Sequence, residues 1–129
     1  MEKKIILTAA IMGTVAIVLG AFGAHALKKV LADSQLNTFE VGVRYQMYHA
    51  LFLLLIVNLN FLSLKEKTII MYLVVVGVIL FSGSIYLLST SAITKLKASI
   101  LGPLTPIGGL FLIVSWLYLF YIAIVKNTN

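Results

Sequence analysis

Phe39-Glu-Val-Gly-Val-Arg44-Tyr-Gln-Met-Tyr48-His49-Ala-Leu-Phe52 decides the reading of this chain. It gathers a carboxylate, a guanidinium, an amide and an imidazole at the mouth of an apolar run, Tyr45 to Leu64, that holds no Asp, Glu, Lys or Arg. Such groups are costly at the edge of a membrane span, so something must be gained by keeping them. Glu40 and Arg44, Arg44 and Tyr48, and Tyr45 and His49 are each four residues apart and share helix faces. They build two neighbouring polar stripes, Glu40-Arg44-Tyr48 and Tyr45-His49.

Three more segments are free of charge: Ile5 to Leu27, Thr68 to Thr94 and Ala98 to Val125. All four runs meet the roughly 20 apolar residues that a helix needs to cross the hydrocarbon core. Composition agrees. The 129 residues are 61% hydrophobic and 11% charged, with a mean hydropathy of +1.09. A soluble domain carries about 45–50% apolar and about 25% charged residues. With no water to satisfy the backbone, four spans cannot close a barrel and must be helices. The expectation is an all-α integral membrane protein, one domain over residues 1–129, built as a four-helix transmembrane bundle. The spans fall at about 5–27, 40–62, 68–89 and 106–125. A short interfacial helix between spans 1 and 2, running on into span 2, is predicted from Leu36, Phe39 and Val43 at helical spacing, with Asp33 or Ser34 as its cap.

The net charge of +6 is spread over short loops, which reads as membrane-flank charge and not as a nucleic-acid patch. The absence of cysteine removes disulfides and thiolate chemistry. Glu2-Lys-Lys4 and Ala24-His-Ala26 imitate a signal peptide, but the apolar part exceeds the roughly 7–15 residues of such a segment, so a retained helix is expected. Ala16, Gly20 and Ala24 form a small-residue ladder on it, read as close packing within the chain. Two prolines and three glycines in Gly102 to Gly109 resist regular helix and put the last helix start at Pro106. Trp116, Tyr118 and Tyr121 are expected near the far interface.

Alternating spans bring the end of span 1, the start of span 2, the end of span 3 and the start of span 4 to one membrane face. One polar layer is predicted there, of His25, Glu40, Arg44, Tyr45, Gln46, His49, Ser82, Ser84, Tyr86 and Thr105. The opposite ends read as ordinary short turns. Gly20-Ala-Phe-Gly-Ala-His-Ala-Leu27, Tyr45-Gln46 with His49-Ala-Leu51, Phe81-Ser-Gly-Ser84 with Tyr86, and Thr105-Pro-Ile-Gly-Gly109 follow in order along the chain. Together they resemble the small membrane proteins catalogued as domain of unknown function 423, and a eukaryotic transmembrane protein, number 256, resembles them too. The resemblance covers nearly the whole chain and implies four spans in a bacterial inner membrane. It implies no reaction, ligand or catalytic residue.

His25, His49 and Glu40 are a thin ligand set on two helices, so no metal site and no cofactor are expected. Ser82 and Ser84 lack a G-x-S-x-G context, and no paired carboxylates or nucleotide loop occur, so catalytic residues are not assigned and an enzyme ranks last. The leading expectation is a structural or envelope-maintenance protein whose partners are membrane lipids, with Lys28, Lys29 and Arg44 as head-group contacts. The alternative is a small homo-oligomeric transporter or channel using His49, His25 and the Glu40–Arg44 pair. Lys3, Lys4, Lys65, Lys67 and Lys126 face Lys28, Lys29, Arg44, Lys95 and Lys97 across the membrane, a tie in basic charge. Placing Arg44 in the polar layer, and Lys3 and Lys4 before the first helix, puts both termini in the cytoplasm.

Overall fold

In the computed structural model, residues 1–95 and 98–126 are described. Four long helices carry the fold: α1 (Glu2–His25), α2 (Asp33–Val57), α3 (Leu64–Ser89) and, after two short helices, α4 (Ser91–Thr94) and α5 (Ala98–Leu101), the last helix α6 (Leu104–Lys126). The described residues contain no strand. The long helices have 24, 25, 26 and 23 residues. At 1.5 Å per residue they run roughly 34–39 Å. Three segments are both long and apolar enough to cross a membrane: Glu2–Lys29, Leu64–Ser89 and Ser99–Lys126. The fourth long helix, α2, has the length, but Asp33, Glu40 and Arg44 lie in its first half.

Neighbours along the chain pack antiparallel. Gly13 lies against Ala50 and Gly23 against Phe39 between α1 and α2. Gly42 meets Tyr86 between α2 and α3, and Gly77 meets Leu112 between α3 and α6. The extensive interfaces are α1 with α2, α2 with α3, and α3 with α6, while α1 touches α3 only thinly. Two of the three ladder residues of α1 pack within the chain: Ala16 is buried and the Cβ site of Gly20 is 3.5 Å from Val43, while Ala24 is exposed.

Close approach is forced at three glycines, Gly42, Gly77 and Gly108. A Cβ at Gly108 would overlap the backbone nitrogen of Phe81, so α6 lies directly on α3 there. A Cβ at Gly42 would stand 2.7 Å from the Tyr86 ring. The apolar core fills the half of the bundle that holds the chain ends, with Ile5, Leu53, Ile56, Ile70 and Val74 fully enclosed. A second, smaller apolar cluster of Leu27, Leu31 and Phe39 closes the other end.

Several expected boundaries move. The piece expected as a short interfacial helix running on into span 2 is continuous with it: Asp33 opens α2, which runs unbroken to Val57. Only a 3-10 turn, Leu27–Lys29, stands between α1 and α2. The N-cap is Ala32, which has no side-chain oxygen, and Gln35 reaches back to accept from its N–H at 3.1 Å. α3 starts four residues before Thr68 because Ser63 and Glu66 form a reciprocal capping box. α6 begins at Leu104, not Pro106, since a proline in the first turn removes an N–H that lacks a helical partner anyway. After α3 the chain forms the short helix α4, Ser91–Thr94, capped by Lys95 in a left-handed conformation, φ 60°. Lys97, one of the flank charges, lies outside the described residues.

Candidate functional site

The polar half of the bundle is a set of hydrogen bonds between helices. The Gln46 amide lies between α1 and α3: its Nε2 donates to the Met12 carbonyl at 2.8 Å, and its Oε1 accepts from the Tyr86 hydroxyl at 2.7 Å. Ser82 is fully enclosed and donates to the Gly42 carbonyl at 2.7 Å. The same missing Cβ at Gly42 that admits the Tyr86 ring thus leaves its carbonyl within reach of α3. The Ser84 and Thr105 hydroxyls are hydrogen-bonded to each other at 2.6 Å, which ties α3 to the first turn of α6.

His49 is 4% exposed and links α2 to α6. Its Nδ1 lies 2.7 Å from the Tyr45 carbonyl, and its Nε2 lies 3.0 Å from the Trp116 indole nitrogen. A carbonyl only accepts and an indole N–H only donates. Both contacts therefore demand the same tautomer, a neutral ring with its proton on Nδ1. The Trp116 indole also stacks on Phe52, with centroids 4.0 Å apart and planes 19° apart.

The ten residues expected in one layer separate by environment. Gln46, His49, Ser82, Ser84, Tyr86 and Thr105 are joined between helices in the bonds above. His25, Glu40 and Arg44 are at the rim. His25 is exposed as the last residue of α1. Glu40 and Arg44 approach only to 3.9 Å, with side chains 44% and 52% exposed. Tyr45 is half-exposed, and its ring packs on Phe81 and Tyr48. Arg44 thus stands outside the set of buried bonds between helices. No group of three or more His, Cys, Asp or Glu side chains gathers among the described residues.

Two features escaped sequence reasoning. Trp116 is not an interface anchor at the far end; it faces His49 midway along α6. The opposite ends are also more than ordinary turns. Lys67, its side chain 6% exposed, donates to Glu2 and to the Val57 carbonyl, both at 2.7 Å. Lys126 donates to Glu66 at 2.8 Å and to the Phe61 carbonyl at 3.2 Å. These two lysines fasten the ends of all four long helices. The S-x-x-E pattern of Ser63 to Glu66 was visible in the sequence; the burial of Lys67 in the first turn of α3 was not.

A groove of about 290 Å³ opens beside His49, lined by Tyr45, His49, Phe81, Gly109, Leu112, Ile113 and Trp116. A second, on the other side of α3, is lined by residues including Met12, Gln46, Gly83 and Tyr86.

Long apolar helices joined by buried polar side chains are the make-up of a small helical membrane protein. The chain belongs to the family described as protein of unknown function DUF423, whose profile matches residues 19–109. It is 40% identical over 124 residues to the UPF0382 membrane protein YwdK of Bacillus subtilis, covering 95% of this chain and 97% of the relative. The UPF0382 membrane protein SH2409 of Staphylococcus haemolyticus is 39% identical, with 91% and 92% covered. A UPF0382 membrane protein of Haemophilus influenzae is 31% identical, with 94% of each chain covered. No solved structure matches the chain.

Proposed function

We propose that this protein is a four-span scaffold of the bacterial inner membrane, without enzymatic activity, that associates with anionic lipids through its basic rim. In this reading α2 spans with α1, α3 and α6, and its first two turns, from Asp33 to Glu40, lie among the head groups. The observation that carries the reading is the use made of polar groups. Among the described residues, every buried side-chain nitrogen and oxygen has a hydrogen-bond partner. The polar side chains inside the bundle are engaged in holding helices together. A transporter needs a wetted path past His49, whereas the groove there is walled mainly by rings and aliphatic side chains.

Lys28, Lys29 and Arg44 are exposed at the end where the polar bonds gather, and each such cation near an anionic surface contributes about 1 kcal/mol. Lys3 and Lys4 precede the first helix, which usually governs insertion, and this supports cytoplasmic termini. The exposed apolar faces take lipid tails in this reading, with a second copy of the chain as the other occupant of the same surface. The test is native mass spectrometry of the protein released from bilayers of mixed phosphatidylglycerol and phosphatidylethanolamine. Phosphatidylglycerol is expected to stay bound, and the triple change Lys28→Gln, Lys29→Gln, Arg44→Gln is expected to remove it. Equal retention by both proteins contradicts the head-group assignment. Proton or ion flux through liposomes carrying the protein contradicts the scaffold.

A further inference from the structure

We propose that the groove between α2 and α6 binds a flat, uncharged, carbonyl-bearing ring lipid, a molecule of the quinone class. The proposal rests on the reading that both helices span the bilayer, which is what opens the groove to hydrocarbon. Its walls are aromatic. The Tyr45 and Phe81 rings stand 5.1 Å apart on one side, and the Trp116 indole, held edge-on to His49, forms the other. Ring faces of this kind favour an offset-stacked or edge-on planar partner. No Asp, Glu, Lys or Arg lines the space, so the ring it suits is neutral. Tyr45, Ile113 and Trp116 are 40%, 55% and 46% exposed, so the groove opens sideways, toward lipid.

The polar handle is the Tyr45 hydroxyl. Both His49 nitrogens are occupied, by Tyr45 and by Trp116, and the indole N–H is occupied in turn. Among the described residues the Tyr45 hydroxyl has no hydrogen-bond partner, and Tyr45 is one of the residues that line the groove. A donor placed there suits a carbonyl acceptor. The volume, about 290 Å³, holds a head ring and not a whole lipid. A tail would continue along the exposed apolar face of α6.

Gly109 supplies an independent observation. Its neighbour Gly108 is required by packing, since a Cβ there would overlap the α3 backbone. Gly109 has no such reason: its nearest neighbour is the Phe81 ring at 3.6 Å, an ordinary contact. A glycine inside a helix is unfavourable relative to alanine, and the fold does not call for this one. The groove does, because a side chain at 109 would project into it.

Trp116 is the single tryptophan of the chain, so its fluorescence reports the site directly. The detergent-held protein is titrated with a naphthoquinone bearing a short isoprenoid tail, a ring that quenches indole emission. Saturable quenching is expected. Gly109→Leu is expected to raise the apparent Kd by roughly tenfold or more, and Tyr45→Phe to raise it several-fold while leaving the rings in place. Ile113→Phe narrows the mouth from the lipid side and gives a second blocking variant should Gly109→Leu not fold. Gly83→Leu, in the other groove, is expected to bind as the parent does. Quenching that never saturates, or affinity unchanged from the parent in both blocking variants, overturns the proposal. So does equal displacement by a ringless isoprenoid alcohol, which would make the groove a lipid-tail contact only. Cysteine labelling of α2 tests the span separately, so failure of the site and failure of the membrane reading are distinguishable.

Discussion

At the scale of single residues, the deciding question is which polar side chains are committed to a partner. His49 is committed twice, and the two partners fix its tautomer. Nitrogen NMR of a ring-labelled sample is therefore expected to show the proton on Nδ1, and a proton on Nε2 would mean that the Trp116 bond is not formed. Gln46 and Tyr86 form a testable pair across α2 and α3. Gln46→Leu, Tyr86→Phe and the double variant are expected to give a coupling energy of about 0.6 kcal/mol, at most about 1.7 kcal/mol. That is the range of interhelical hydrogen bonds in membranes, where the unfolded chain also finds partners. The Glu40–Arg44 pair is too long and too exposed to matter as much. Changing either is expected to cost under about 1 kcal/mol, and stranding one charge at the rim costs little because solvent reaches it. Lys67 differs. Glu2→Ala leaves an enclosed ammonium without its carboxylate, so the thermal midpoint in detergent is expected to fall. Lys67→Met in that background is expected to recover part of the loss, because an apolar side chain has no charge to strand. No recovery would mean that Lys67 is held by the Val57 carbonyl alone. The residue types that make these bonds were legible in the sequence; their partners were not. Trp116 and His49 are 67 positions apart, and no periodicity encodes that distance.

At the scale of elements, glycine positions separate packing from propensity. Gly108→Ala forces α6 away from the α3 backbone and is expected to cost at least about 1–3 kcal/mol, as overpacked sites do. Gly83→Ala meets nothing within 4 Å. It is expected to be neutral or to stabilise α3 by up to about 1 kcal/mol through helix propensity. The two thermal midpoints, measured side by side, check the α3–α6 crossing; equal losses would contradict it. Helix existence was readable from the charge-free runs, because hydrocarbon length sets a minimum that few other structures meet. Helix ends were less readable. α3 begins early because the Ser63–Glu66 box satisfies backbone groups that hydropathy does not see. Likewise α2 extends back to Asp33 through polar residues, since the helix continues past the apolar run. A charge count marks where hydrocarbon begins, not where helical hydrogen bonding stops.

At the scale of the whole molecule, four helices of similar length place the bonds of Gln46, His49, Ser82 and Ser84 in one half, and the apolar core, closed off by the Lys67 and Lys126 ties, in the other. The convergence of helix ends followed from alternating direction alone, so the polar half was legible before any coordinate. Its depth was not: His49 and Trp116 meet well inside the bundle, while His25, Glu40 and Arg44 remain at the rim. Orientation rests on Lys3 and Lys4, and reporters fused after Asn129 test it. Activity of a cytoplasm-only reporter is expected, and activity of a periplasm-only reporter alone would reverse the assignment. The central claim is that α2 spans despite its polar first half, because its buried polar groups are met inside the bundle. The chain has no native cysteine, so single cysteines report cleanly. Placed one at a time from Asp33 to Asn60 in intact cells, they are expected to react with a membrane-impermeant maleimide up to about Arg44 and to be protected from there to Val57. Reactivity continuing through the turns that hold Leu51 and Leu55 would contradict a spanning α2 and leave three spans.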